Sequence, residues 1–341
     1  MSVNALPDVA NDNDASSDAS NASGLFSGVV RQWTSWRTAG IFIPFLILFV
    51  VLSITSRPFL HTTNLLNILD QQASTLVIAA AGTLVLVSGG IDLSVGATYG
   101  LSSVIAGQMA ETHSPWLAIA VGLMVGLGIG LVNGLIVAIF KINPLVTTLA
   151  MSFVISGVAT KVTSGNLIVL TSRIGFSKFS NSTFLGVQSA IWIMVVVVVV
   201  LALLLSRTTL GRYIVASGGN AEAARLAGVR VNATRISAYV LSGGAAGLAG
   251  IIDTSRVLSA EASAGGSALA FTVLAGIVVG GTSIAGGEGS VWRTTIGVLF
   301  IALIGNGFDL LGIDPLYQQI VLGVILLIAV GLDVWARKRG R

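Results

Sequence analysis

Apolar residues along the chain form long runs that shorter polar segments separate. A helix needs about 20 mostly apolar residues to cross a bilayer. Ten runs come close to this length, although glycine and serine interrupt the third, and they lie near 38–56, 65–88, 94–110, 115–140, 144–162, 189–206, 232–252, 268–285, 291–309 and 315–335. The pattern therefore predicts an all-α polytopic membrane protein with about ten transmembrane helices.

The composition of the 341-residue chain agrees with a membrane location. Hydrophobic residues make up 54% of it and charged residues only 9%, whereas soluble domains carry about 25% charged residues. There is no cysteine, and the two histidines, His61 and His113, are far apart in the sequence. Disulfides and thiolate metal sites are thereby excluded, and we expect no metal and no other cofactor.

Basic residues indicate how the predicted helices are oriented. With the N-terminus in the cytoplasm, thirteen of the 18 lysines and arginines fall in cytoplasmic segments, and five fall outside, at Arg57, Lys161, Arg173, Lys178 and Arg256. Cytoplasmic segments of membrane proteins are enriched in such residues, so we expect both termini in the cytoplasm. Because the basic residues follow the ends of apolar runs rather than one face, we expect no nucleic-acid partner.

The first 37 residues differ from the rest of the chain. The stretch 11–23 contains only Asn, Asp, Ser and Ala, which cannot bury enough apolar surface to offset the entropy of ordering. We expect residues 1–37 to form a disordered cytoplasmic tail and residues 38–336 to form the transmembrane domain. Residues 337–341 are expected to form a short basic cytoplasmic tail.

Residues 206–235 form a long polar stretch between the sixth and seventh predicted helices. Asn220 is a favourable N-cap, residues 221–227 are mostly strong helix formers, and Gly228 is a typical helix stop. We expect a short cytoplasmic helix whose apolar side and arginines suit docking into a groove of a soluble partner. A plain surface loop is the alternative, and among membrane proteins in general it is the more frequent case.

Three glycine-containing motifs, at 88–96, 211–228 and 280–289, read SGGIDLSVG, GRYIVASGGNAEAARLAG and GGTSIAGGEG. In this order and at this spacing, they resemble the motifs of ribose-type ABC sugar permeases. The similarity extends from about Asn64 to the C-terminal region. From its residues alone, the third motif is expected to be a tight turn rather than a phosphate site, because no lysine lies near it.

The resemblance implies an importer made of several chains. Two permease chains, expected to be identical, would span the bacterial inner membrane in contact with lipid, together with a cytoplasmic ABC ATPase and an extracytoplasmic solute-binding protein. No lysine of this chain follows a glycine, so it has no nucleotide loop of the GxxxxGK[ST] type and is not expected to be an enzyme. The residues expected to couple to the ATPase are Gly211, Arg212, Gly219, Asn220, Ala223, Arg225, Leu226 and Gly228.

Four residues are the leading candidates to line a solute pathway, namely Asp92, Asn133, Phe271 and Asn306. Asp92 interrupts an apolar run, and ionisable groups at membrane depth are costly and often functional. Capping of the next helix at the cytoplasmic surface is an equally weighted alternative for Asp92. For any one of the polar groups within the predicted helices, a hydrogen bond between helices is the favoured interpretation over a role in the pathway. Further polar residues in the predicted helices are Asn67, Asp70, Gln71, Thr147, Thr148, Ser152 and Asp309.

The functional prediction is a permease subunit that imports a small polar solute, with a monosaccharide as the expected solute. Members of the resembled family often carry acidic residues where this chain has Ala270 and Thr272, so the resemblance does not specify ribose. The alternative is an ion-coupled secondary transporter, with Asp92 and Asp309 as its candidate carboxylates. A membrane enzyme is not expected, because the sequence has no spaced metal-ligand set and no nucleophile elbow.

Overall fold

The computed structural model of the protein describes residues 40–171, 174–314 and 316–339. The predicted tail at 1–37 lies outside these residues. Fourteen helices occur in the described part of the chain: α1 (Phe42–Thr55), α2 (Thr62–Gln71), α3 (Ala73–Val87), α4 (Val95–Thr112), α5 (Pro115–Ala138), α6 (Pro144–Thr163), α7 (Ile174–Asn181), α8 (Ser189–Arg207), α9 (Thr209–Gly219), α10 (Ala221–Leu226), α11 (Val231–Val257), α12 (Gly266–Val279), α13 (Val291–Leu311) and α14 (Leu316–Arg339).

Four two-residue strands interrupt the otherwise helical architecture. They are β1 (Ile168–Val169), β2 (Thr183–Phe184), β3 (Val187–Gln188) and β4 (Ser259–Ala260). Both pairs, β1 with β4 and β2 with β3, are antiparallel. The strands lie in the connections on either side of α7 and after α11, so the protein is essentially all-α, as predicted.

Helix length and composition are those of a polytopic membrane protein. Five helices, α5, α6, α8, α11 and α13, are long and apolar enough to cross a bilayer, and α2 with α3 forms a sixth candidate that bends by 49°. Shorter apolar helical stretches lie in α1, α12 and α14. Each predicted span overlaps one of these helices or α4, while the count of ten stays a prediction. Because α14 runs to Arg339, no helix end marks the predicted boundary after residue 336.

Glycines on one face of α5 bring this helix against α11. Gly122, Gly126, Gly130 and Gly134 recur every four residues, which places them on the same side of α5. A Cβ atom added to Gly126 would lie 2.9 Å from the Cα atom of Gly247 on α11. Small residues at this spacing let helix backbones approach closely within a membrane. Helix α11 also contacts α3 and α4, so it lies at the centre of the described bundle.

The connection between α6 and α8 contains α7, a helix that the apolar pattern did not predict. The hydroxyl of Ser255 donates a 2.7 Å hydrogen bond to the carbonyl oxygen of Phe176. The hydroxyl of Ser180 donates a 2.8 Å hydrogen bond to the carbonyl oxygen of Ile252. These two hydrogen bonds hold α7 against the last turns of α11.

Candidate functional site

The polar segment 206–235 contains a short helix where the sequence predicts one. The side-chain oxygen of Asn220 accepts a 3.0 Å hydrogen bond from the backbone N–H of Ala223, which is an N-cap for α10. Gly228 has a φ of 85°, and its N–H donates to the carbonyl oxygen of Arg225. A glycine in this left-handed conformation is a common helix end. The observed end at Leu226 is one residue from the predicted one.

The same segment also contains α9, which was not predicted. Its N-cap is Thr208, whose hydroxyl oxygen accepts a 3.1 Å hydrogen bond from the N–H of Gly211. Helix α9 contacts α8, α11 and α3 and buries Ile214 and Ser217. Three glycines within its eleven residues lower its intrinsic helix propensity, so tertiary contacts stabilise it.

Helix α10 leaves most of its surface open. Ala224 is 6% exposed, whereas Leu226 is 79% exposed. Arg225 and Glu222 form an ion pair of 2.6 Å on the open surface. The hydrogen bond from Arg225, reinforced by its charge, lowers the pKa of Glu222 from its ordinary value. At neutral pH, α10 therefore presents an exposed leucine beside a charge-compensated pair.

The eight residues predicted to couple to an ATPase separate into two groups. Gly211 is buried, and a Cβ atom there would overlap the carbonyl oxygens of Leu204 and Leu205. A docked protein could therefore not contact Gly211, whose role is to let α9 pack on α8. The other seven are exposed, and they are Arg212, Gly219, Asn220, Ala223, Arg225, Leu226 and Gly228.

The three motifs of the sequence meet at one point, which we call the glycine junction and define by Gly89, Gly218, Gly219, Gly286 and Gly287. A Cβ atom on Gly286 would lie 2.8 Å from the Cα of Gly89, and one on Gly287 would lie 2.7 Å from the Cα of Gly219. Distances this short exclude any side chain. The junction therefore places the end of α9 directly against the turn after α3 and the turn between α12 and α13.

Asp92 lies in the non-helical segment between α3 and α4 and is held by three hydrogen bonds. One carboxylate oxygen accepts from the backbone N–H of Ser94 at 3.1 Å and from its hydroxyl at 2.6 Å. The other oxygen accepts from the hydroxyl of Ser242 on α11 at 2.9 Å. The N-cap position of α4 is Ser94, whose own side chain makes no cap bond, and the backbone N–H of Ser94 is bonded by Asp92 instead. A capping role and a pathway role for Asp92 therefore both stay predictions. Asp92 also ties the segment to α11.

Asn133 belongs to the same buried network as Asp92. Its side-chain amide donates a 2.7 Å hydrogen bond to the hydroxyl of Ser94, and the residue is 0% exposed. Sequence reasoning missed Ser94 and Ser242 as partners, because nothing in their local pattern distinguishes them from other serines in apolar helices. Two of the four pathway candidates are thus joined through Ser94.

Asn306 lies elsewhere, in a cavity of about 430 Å³ between α2, α12, α13 and α14. Asn306 and Asn64 exchange two hydrogen bonds, of 2.9 Å and 3.2 Å, through their side-chain amides. We call this space the amide cavity, because six amide side chains line it, those of Asn64, Asn67, Gln71, Gln72, Asn306 and Gln318. The sequence pattern did not single out Asn64 and Gln318, which lie at or just outside the ends of predicted spans, nor Gln72, which lies within the second predicted span.

Phe271, the fourth pathway candidate, is not brought together with the others. It is 44% exposed on α12 and does not line the amide cavity, although its neighbour Thr272 does. Ala270 lies instead beside Asp92, at a narrow space of about 20 Å³. The two positions at which this chain departs from the resembled family therefore face two different polar sites.

An ion-pair network fixes the end of α2 against α11. The guanidinium of Arg256 lies 2.7 Å from the carboxylate of Asp253 and 3.5 Å from that of Asp70. The hydroxyl of Tyr99 donates a 2.7 Å hydrogen bond to Asp253. The sequence pattern marks Asp70 only as a polar residue within an apolar run, because its partner Arg256 lies 186 positions away.

Several apolar helices of bilayer length with polar sites between them define a polytopic membrane protein. The chain belongs to the family described as branched-chain amino acid transport system / permease component, which matches residues 64–330. The predicted resemblance is confirmed, and the chain is a multi-pass ABC permease.

Several relatives are similar along almost the whole chain. The ribose import permease protein RbsC of Bacillus subtilis (strain 168) is 42% identical over 90% of this chain and 94% of its own length. RbsC of Escherichia coli (strain K12) is 38% identical over 85% of this chain and 92% of its own length. The L-arabinose ABC transporter permease protein AraH of Azospirillum brasilense is 36% identical over 91% of each chain. No solved structure matches the chain.

Proposed function

We propose that two copies of this chain form the membrane pathway of an ATP-driven importer in the bacterial inner membrane. A cytoplasmic ABC ATPase supplies the energy, and an extracytoplasmic binding protein delivers a monosaccharide. Each chain crosses the lipid bilayer ten times, with both termini in the cytoplasm. The chain conducts the solute and catalyses no reaction.

The distribution of basic residues supports this orientation. It assigns α10 and the turn between α12 and α13 to the cytoplasmic side, and α2, α7 and the start of α14 to the outer side. Arg212, Arg225 and Arg230 then lie on the cytoplasmic surface. In this orientation the amide cavity lies toward the outer side, where a binding protein would release its solute.

The glycine junction is the observation that carries the proposal. A protein that docks on exposed Leu226 would displace α10, and only Asn220 separates α10 from the end of α9. Because Gly218 and Gly219 touch the backbone of two other segments, a displacement of α9 must displace those segments as well. This is the connection that an importer needs between an ATPase and its transmembrane helices.

The source of energy follows from what the sequence contains. A nucleotide loop is missing from this chain, so ATP has to bind another polypeptide. The ion-coupled alternative needs a carboxylate that can exchange a proton or an ion. Of the two candidate carboxylates, Asp92 accepts three hydrogen bonds within the protein, and Asp309 lines the amide cavity. The relative that is named an ABC transporter permease favours the ATP-driven importer over this alternative.

The expected solute class rests on the relatives. The names of the relatives described above specify ribose and L-arabinose, which are both five-carbon sugars. The family description, in contrast, specifies branched-chain amino acids. We assign a monosaccharide to this chain because relatives with that class of solute align over 85% or more of it.

The test is uptake by proteoliposomes that contain the permease with its ATPase and binding protein. We expect uptake of radiolabelled D-ribose or L-arabinose that requires ATP inside the vesicles and that a protonophore does not abolish. Parallel vesicles hold the permease alone under an imposed proton or sodium gradient. Uptake in those vesicles would contradict the proposal and favour an ion-coupled transporter.

A further inference from the structure

The walls of the amide cavity come from faces of separate helices. Asn64, Asn67 and Gln71 are spaced three and four residues apart on α2, which places them on one face of that helix. Asn306 and Asp309 lie one turn apart on α13, facing the same space. Gln318 of α14 and Thr272 of α12 complete the polar lining, and apolar contacts come from Ile68, Ile301, Ala302 and Leu310.

The amides of the cavity differ in their hydrogen bonding. Asn64 and Asn306 bond to each other, so their orientation is fixed. Among the residues that the structure describes, no partner is found for the side-chain amides of Asn67, Gln71 and Gln318. Unsatisfied amides facing hydrocarbon would each cost several kcal/mol, so these groups face water. Water-facing amides can exchange their water for the hydroxyl groups of a solute.

The charge of the lining selects among solutes. Asp309 is the one ionisable residue among the described lining residues, and no lysine, arginine or histidine is present there. A phosphorylated sugar, or the carboxylate of an amino acid, would find no cation. A sugar hydroxyl both donates and accepts, as does an amide group, and Ile68 and Leu310 can contact the C–H faces of the ring.

The size and anchoring of the cavity suit a small solute. Its volume of about 430 Å³ lies within the range of roughly 300–1,000 Å³ that is usual for small-molecule sites. On another face of α2, Arg256 donates a 2.7 Å hydrogen bond to the carbonyl oxygen of Asp70. This bond fixes the end of the helix that carries Asn67 and Gln71, so the wall is preorganised.

We infer that the amide cavity is a solute subsite within the permease itself, which takes a neutral polyol such as an aldopentose as it leaves the binding protein. The inference rests on the proposed import function and makes it more specific. Asn67, Gln71 and Gln318 supply hydrogen bonds to the sugar, while the Asn64–Asn306 pair shapes the floor. The permease thereby contributes to solute selection rather than leaving it wholly to the binding protein.

The natural absence of cysteine allows a direct test in the complete importer. In Asn67→Cys and Gln71→Cys, a membrane-impermeant maleimide added outside should label the new thiol. D-ribose or L-arabinose is added together with the binding protein. Either sugar should slow labelling about tenfold when its concentration is about ten times the Kd of the subsite. L-leucine should have no effect. The control Leu185→Cys, at a residue 78% exposed in the β2–β3 turn, should be labelled at a rate that no solute changes.

Transport by side-chain variants provides a second readout. Asn67→Leu and Gln71→Leu should each lower sugar uptake about tenfold and raise the ATP hydrolysed per sugar transported, because a hydrogen bond to the solute is lost. Gln71→Asn should retain part of the uptake. Gln108→Leu makes the same amide-to-apolar change on α4, where it removes a 3.2 Å hydrogen bond to the carbonyl oxygen of Val162 away from the cavity, and it should transport normally.

The outcomes separate the subsite from the proposed function. Failure of the wild-type importer to take up any pentose or hexose with ATP contradicts the proposed function itself. Normal uptake by both leucine variants, or labelling that the sugars do not slow, contradicts only the subsite. Thiols that remain unlabelled because a second copy of the chain covers the cavity also overturn it, in favour of a contact between subunits.

Discussion

Gly287 donates its backbone N–H to the carbonyl oxygen of Val87 over 2.8 Å. This bond joins the turn between α12 and α13 to the last residue of α3. Gly218, at the end of α9, lies against both groups, and a Cβ atom there would be 2.7 Å from the nitrogen of Gly287 and would overlap the oxygen of Val87. The contact among three distant parts of the sequence therefore depends on a missing side chain.

Substitution Gly218→Ala is expected to destabilise the permease by about 1–3 kcal/mol, because the added methyl group overpacks the glycine junction. Thermal unfolding of the purified protein in detergent, followed by tryptophan fluorescence, measures the effect. Gly157→Ala is the matched control, since a Cβ atom there meets nothing within 4 Å and alanine favours a helix. Equal melting temperatures for the two variants would show that the junction tolerates a side chain.

Substitution Leu226→Asp is expected to weaken ATPase binding about 30-fold or more, because it removes the exposed apolar contact of α10. Arg212→Glu should act in the same direction by reversing an exposed charge. Co-purification of the ATPase and ATP-dependent uptake measure the effects. Leu185→Asp replaces an equally exposed leucine on the side that the proposed orientation assigns to the outside, and it should leave ATPase co-purification unchanged. Wild-type behaviour of Leu226→Asp would remove α10 from the docking surface.

Substitution Asp92→Ala is expected to lower stability by about 1–3 kcal/mol for each donor left without a partner, namely the N–H and hydroxyl of Ser94 and the hydroxyl of Ser242. Asp92→Asn retains one oxygen acceptor and should have a smaller effect. The melting temperatures of the two variants test whether Asp92→Ala is the more destabilising change. Glu111→Ala, at an exposed residue, is the control. If Asp92→Ala abolished transport without lowering the melting temperature, the carboxylate would act on the solute rather than on the fold.

Substitution Arg256→Gln is expected to destabilise the protein by about 1–3 kcal/mol, because the carboxylate of Asp253 loses its ion-pair partner and α2 loses an anchor at Asp70. Arg256→Lys should recover only part of this, since a lysine lacks the planar fork that reaches both groups. Arg57→Gln, at an exposed arginine, is the control for melting temperature. A fully stable Arg256→Gln would mean that α2 is held by its other contacts.

The sequence predicted those helices whose formation depends on local signals rather than on contacts with distant parts of the chain. The apolar runs placed the long helices, and Asn220 with Gly228 placed α10, because capping depends on neighbouring backbone groups. Helix α9 was not predicted because its glycines have low helix propensity, whereas tertiary packing stabilises it. Helix α7 was missed because its stability comes from hydrogen bonds with Ser255 and Ile252, which lie more than 70 positions away in the sequence.

The candidate site was predicted in its parts but not in its arrangement. Each of the three motifs was visible in the sequence, whereas their meeting at Gly218 and Gly286 depends on the tertiary fold. Asp92 and Asn133 were singled out without the serine that joins them. Asn306 was chosen alone, while its reciprocal partner Asn64 is 242 positions away.

The glycine face of α5 limits how the protein can change shape. A Cβ atom on Gly126 or on Gly243 would meet the backbone of the opposite helix, so neither helix can rotate or slide past the other without a clash. We expect α5 and α11 to behave as a single stiff pillar during transport. The 49° bend at Gln72 contains no proline or glycine, and it lies beside the amide cavity. A movement of α2 relative to α3 would then occur at this bend, while α5 and α11 would stay fixed relative to each other.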